Sequence, residues 1–109
     1  MAYRAVEYKN APGTYANTEV ISENIRVKGG SSTNQLRVFV KSAAADTDYK
    51  IQESIDGEEW VDCGVAGAAF TTTFSIADLT GVAYPQASLI RVIATGAITV
   101  TGLFVLQDW

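Results

Sequence analysis

The chain predicts an all-β fold, an antiparallel β-sandwich of jelly-roll-like build with about seven or eight strands. Three observations predict it. Apolar and polar residues alternate in short runs, most clearly in Leu36-Arg-Val-Phe-Val-Lys41. Turn signals of Gly, Pro, Asn and Asp recur roughly every 8–12 residues. No segment repeats apolar residues at helical spacing.

The elements follow in order. Tyr3–Tyr8 reads as a short strand, and Pro12-Gly13 turns the chain after it. Residues 1–17 are therefore an N-terminal arm or edge strand, and 18–109 form one sandwich domain. Thr18–Ser22 and Ile25–Lys28 read as strand pieces split near Ser22–Asn24 by a bulge. Gly29–Asn34 is a loop. In the strand 35–41, Leu36, Val38 and Val40 face one way and Arg37, Phe39 and Lys41 the other. Ala43–Ala45 offers one helical turn at most.

Tyr49–Asp62 reads as a hairpin. Asp56-Gly57 supplies the positive φ angles of a two-residue turn, and Trp60 packs into the core across the sandwich. Gly64–Ala69 is small and apolar and reads as a flexible connection. Phe70, Thr72, Phe74 and Ile76 alternate with Thr71, Thr73 and Ser75, a half-buried strand. Asp78–Pro85 is a long turn region. Ser88–Ala94 is nearly continuous in apolar residues and belongs at the centre of a sheet. Ala97–Gln107 forms the last strand, with Ile98, Val100, Phe104 and Leu106 on one face. Gly102 interrupts its alternation and marks a bulge or a close backbone contact.

Composition narrows the function. The 109 residues suit one domain, and a hydrophobic share of 48% is enough for a core. A charged share of 18% lies below the usual level of about a quarter, as in chains that cover apolar surface with a partner or have only a small core. The net charge of −4, with scattered Lys and Arg, disfavours nucleic acid and anionic membranes. The single cysteine, Cys63, forms no intrachain disulfide, which fits folding in a reducing cytoplasm. Met1-Ala-Tyr-Arg lacks the apolar run of a signal peptide, and no segment approaches the about 18 apolar residues of a spanning helix. Histidine is absent, which removes the commonest general base and metal ligand.

Each candidate site has a plainer reading. Asp46, Asp48, Asp56, Glu58, Glu59 and Asp62 could gather around Ca²⁺, but their spacing matches no EF-hand loop, so solvated turn carboxylates are favoured. Glu58 and Glu59 in one strand would point to opposite faces and could not serve as a glycosidase pair. Glu53 falls on the inward face, where an ion pair with Arg91 or Arg37 is expected. Cys63, with no histidine to activate it, reads as a small buried apolar residue. No catalytic residue, metal ligand or cofactor is expected. The remaining aromatics, Tyr3, Tyr8, Tyr15, Phe39, Tyr84 and Trp109, suit either a carbohydrate-binding platform or contact with another subunit.

Tyr49-Lys-Ile-Gln-Glu-Ser-Ile-Asp-Gly-Glu-Glu-Trp60, followed by Leu89-Ile-Arg-Val-Ile-Ala94 and the Gly96 turn, resembles small β-sandwich modules of tailed-phage virion proteins. In these a strand ends in Ser-x-Asp-Gly, a Trp follows, and a later strand carries Arg-Val before a Gly turn. The resemblance covers roughly residues 35–106, and Ser-x-Asp-Gly-x-x-Trp also appears in bacterial binding and adhesion domains. It implies a capsid decoration (cement) protein, or a tail or fibre component, without catalytic residues. The implied location is the capsid surface of a virion assembled in the host cytoplasm. The implied partners are the major capsid protein or other virion subunits. A homotrimer is the implied symmetry, because decoration proteins of this type often sit at capsid three-fold positions. Tyr3, Tyr8, Pro12, Tyr15, Phe39 and Trp109 are the expected subunit contacts. Asp56, Gly57 and Trp60 are the expected turn and core residues. The alternative is a carbohydrate- or surface-binding module.

Overall fold

Eleven strands, all paired antiparallel, build the described part of the computed structural model, which covers residues 3–7, 12–26, 36–79 and 89–108. They are β1 (Tyr3–Glu7), β2 (Gly13–Tyr15), β3 (Val20–Arg26), β4 (Leu36–Lys41), β5 (Tyr49–Ser54), β6 (Val61–Ala66), β7 (Ala68–Ala69), β8 (Phe74–Asp78), β9 (Leu89–Ala94), β10 (Ile98–Val100) and β11 (Gly102–Asp108). One sheet has the order β1-β11-β4-β8-β7 and a second the order β3-β9-β5-β6, while β10 and β2 form a separate pair. The fold is thus an all-β antiparallel sandwich, and its strands exceed the expected seven or eight because several are only two or three residues long. The predicted Gly29–Asn34 loop and most of the 78–85 turn lie outside the described residues, as do Tyr8, Tyr84 and Trp109.

The core lies between the two large sheets. Leu36, Val38 and Val40 of β4, Ala77 of β8, and Leu103 and Val105 of β11 enter from one side. Ile21 and Ile25 of β3, Tyr49 and Ile51 of β5, and Ile90, Val92 and Ala94 of β9 enter from the other, with Ile98 and Val100 of β10 at the margin. β9 is flanked by β3 and β5, so both of its edges are paired, as its apolar run predicts. The split in β3 exists as two register irregularities against β9, between Val20 and Ser22 and between Ser22 and Ile25.

Four expectations are corrected. First, the 64–69 segment is not a flexible connection: β6 and β7 occupy it, and Gly67 carries the chain from one sheet to the other. Second, 97–107 is two strands. Ile98 and Val100 lie in the β2 pair, the chain changes sheet at Thr101, and beyond it Leu103 and Val105 face inward while Phe104 turns outward. Third, 70–73 is a turn, in which the Thr71 hydroxyl accepts hydrogen bonds from the backbone N–H of Thr73 and Phe74. In the strand that follows, the small Ser75 and Ala77 face the core, and Phe74 and Ile76 face away.

Fourth, the β5–β6 hairpin does not close through two residues; a six-residue loop, 55–60, separates its strands. The Asp56 carboxylate causes this. Its Oδ1 accepts from the Ser54 hydroxyl (3.1 Å) and from the backbone N–H of Glu58 (2.9 Å) and Glu59 (3.1 Å). An Asp that bonds its own following backbone builds an Asx-type turn in place of a ladder turn. Gly57 takes the predicted left-handed conformation, φ 82°, and donates its N–H to the Ser54 hydroxyl.

Candidate functional site: a phenylalanine face

All four phenylalanines of the chain stand outside the core, on the outer face of the five-stranded sheet or at its rim. The strand register puts them there. Phe104 of β11 is paired with Phe39 of β4, which is paired with Ile76 of β8. Lys41 of β4 is paired with Phe74 of β8, and Phe70 sits in the turn that leads into β8. Phe39 meets Phe70 edge to face at 5.7 Å and 74°, and Phe74 at 6.4 Å and 85°. Phe74 meets Phe104 at 6.0 Å and 57°. Such tilted pairs are the preferred geometry of ring quadrupoles.

The four rings line a shallow concavity of about 290 Å³. Phe70 is 60% exposed, and the other three are half-buried. Lys41 is exposed and holds its ammonium over the Phe74 ring, 5.8 Å from the centroid. Arg37, one pleat away on the same face, pairs with Asp78 at 3.4 Å. At Gly102 a Cβ would lie 3.3 Å from the Phe104 ring, so the close neighbour there is a side chain.

The other expected residues are dispersed. Trp60 is not a core residue; it is half-buried outside the core, where the Arg91 guanidinium covers its ring at 4.6 Å. Arg91 also donates from Nε to Gln52 Oε1 at 2.8 Å, and Arg37 is held by Asp78, so neither arginine takes Glu53. One Glu53 carboxylate oxygen is instead sealed from water with no hydrogen-bond partner, and burial raises its pKa. Tyr15 packs against the core, its hydroxyl 3.5 Å from the Ile21 carbonyl, and burial raises its pKa. Pro12 is exposed at the entrance to β2, and Tyr3 is paired with Asp108 at the edge of the larger sheet. Cys63 is half-buried and donates from Sγ to the Ile51 carbonyl; burial raises its pKa.

The carboxylates have local uses. Asp56 builds its own turn, and the Glu58 and Glu59 N–H groups, followed by the Ser54 hydroxyl, lower its pKa. Asp62 bonds Gln52 (2.8 Å) and Lys50 (3.0 Å), which lower its pKa in that order. Glu58 and Glu59 lie exposed in the loop, not on a strand.

Of the phenylalanine face, Phe39 alone is an expected contact residue from the sequence; Phe70, Phe74 and Phe104 are expected only as strand residues. The other three come together only through the pairing of β4, β8 and β11, which no single stretch of sequence displays. Among the described residues, no helix is long and apolar enough to cross a membrane. No family model, no curated protein and no solved structure matches this chain.

Proposed function

We propose that this chain is a non-enzymatic structural protein of a tailed-phage virion, a capsid decoration protein that stabilises the shell by binding across neighbouring subunits. One observation carries the reading: four clustered phenylalanines line a concavity on an outer sheet face, an apolar patch of the kind that marks an interaction site. Aromatic clusters of this kind anchor protein interfaces. The resemblance of the Ser54-Ile-Asp-Gly-Glu-Glu-Trp60 hairpin and the Arg91-Val92 strand to virion modules supplies the setting. The ring tilts weigh against the carbohydrate-binding alternative, which calls for a flat row of rings.

The test is location and stoichiometry. Particles of the encoding phage are purified and their proteins quantified by mass spectrometry and immunogold labelling. A copy number commensurate with the capsid lattice, with label on the shell, is expected. Label confined to tails would replace decoration with a tail or fibre role, and absence from particles would overturn the virion reading.

A further inference from the structure

We infer that the phenylalanine concavity receives the 55–60 loop of a second copy of this chain. The inference rests on the reading of this face as a subunit contact and names the subunit.

The loop holds one exposed aliphatic side chain, the knob, on a hydrogen-bonded frame. Ile55 is 71% exposed and Val61, just past the loop, is 60% exposed; with Phe70 they are the exposed large apolar residues of the described chain. Ser54, Asp56 and Gly57 hold the loop in one shape through the hydrogen bonds described above, so presenting Ile55 costs little further ordering. Around the knob, Asp56, Glu58, Glu59 and Asp62 are exposed.

The phenylalanine face is the matching socket. Its concavity of about 290 Å³ falls near the lower end of the about 300–1,000 Å³ range of ligand pockets and is lined by rings alone. At its rim Lys41 leans over Phe74 and meets no carboxylate among the described residues. An acidic-rimmed aliphatic knob is complementary in polarity to the ring socket and in charge to Lys41. Knob and socket sit on different sheets, and the exposure of Ile55 shows that a chain does not fill its own socket. Made reciprocally, the contact gives a two-fold dimer; made head to tail, it gives a ring if the rotation closes.

The test uses the full chain, with light scattering and sedimentation across concentration and salt. Wild type should associate as concentration rises, and less so at high salt. Lys41→Glu, and separately Glu58→Lys with Glu59→Lys, should each weaken association at least about tenfold. Combining all three in one chain should restore it. Ile55→Ser, at a position too exposed to threaten folding, should also dissociate the assembly. A wild type that stays monomeric at all concentrations would overturn the proposal, as would failure of the triple variant to recover. The virion reading fails separately: an assembly absent from particles sinks that reading alone, and a monomer bound to capsids sinks the self-contact alone.

Discussion

Gly67 is where one missing atom decides whether the sandwich closes. It lies over the Tyr49 ring, and a Cβ there would sit 2.5 Å from Cζ. Tyr49 is 1% exposed and packed in the core, so the ring cannot give way. Gly67→Ala should therefore destabilise the fold by about 1–3 kcal/mol, the usual cost of overpacking, as urea unfolding will measure. Burial lifts the Tyr49 hydroxyl to a pKa of about 12, and the hydroxyl has no hydrogen-bond partner among the described residues, because the neighbouring Ser75 hydroxyl gives its proton to the Asp46 carbonyl at 2.7 Å. Glu53 gives a prediction of opposite character. Its folded pKa is raised above the ordinary 4.5, so the folded state prefers the protonated acid. Below the unfolded pKa both states are protonated and no penalty exists. As pH rises from there through the folded pKa the penalty sets in, and it persists at neutrality. Glu53→Gln should raise the melting temperature at pH 7, with the gain shrinking toward zero near pH 4. An equal gain at both pH values would show that ionisation is not the cause.

At the scale of elements, protection should follow pairing. β9 and β4 are each paired on both edges, whereas β6 and β7 each end a sheet. β6 also carries a register irregularity against β5, where Gly64 takes φ 78°. Hydrogen exchange of the unassociated chain should leave β9 and β4 amides slowest and β6 amides fastest. Equal protection of β6 and β9 would contradict this order. Elements were legible in the sequence where composition and position agreed. β4 alternates with its large aliphatics inward, and β9 is apolar throughout because it is central. β8 misled because its larger residues face out and its inward positions hold Ser75 and Ala77. The last strand misled because Gly102 marks a change of sheet, which resets the alternation on either side. Asp56-Gly57 announced a turn, but whether the Asp carboxylate closes a wide loop or leaves a tight one depends on backbone geometry that the dipeptide does not encode.

For the whole molecule, the same reasoning separates fold from site. The sandwich was legible because its two inner faces need aliphatic residues at every second position, and that demand shows in one dimension. The phenylalanine face was not, because it is assembled across β4, β8, β11 and a turn, through pairings that bring Phe39 beside Phe104 and Lys41 beside Phe74. Cross-strand neighbours of that kind are set by register, and register is fixed only once the sheet exists. The pairing of the first strand with the last has a practical side. Tyr3 stands opposite Asp108, and β1 runs antiparallel to β11 along the rim of the larger sheet. Polypeptide attached before β1 and polypeptide attached after β11 therefore depart from one corner. A cargo genetically joined to either side would be carried at that same corner, and a short bridge between the two would turn the domain into a closed loop of chain that can be reopened elsewhere.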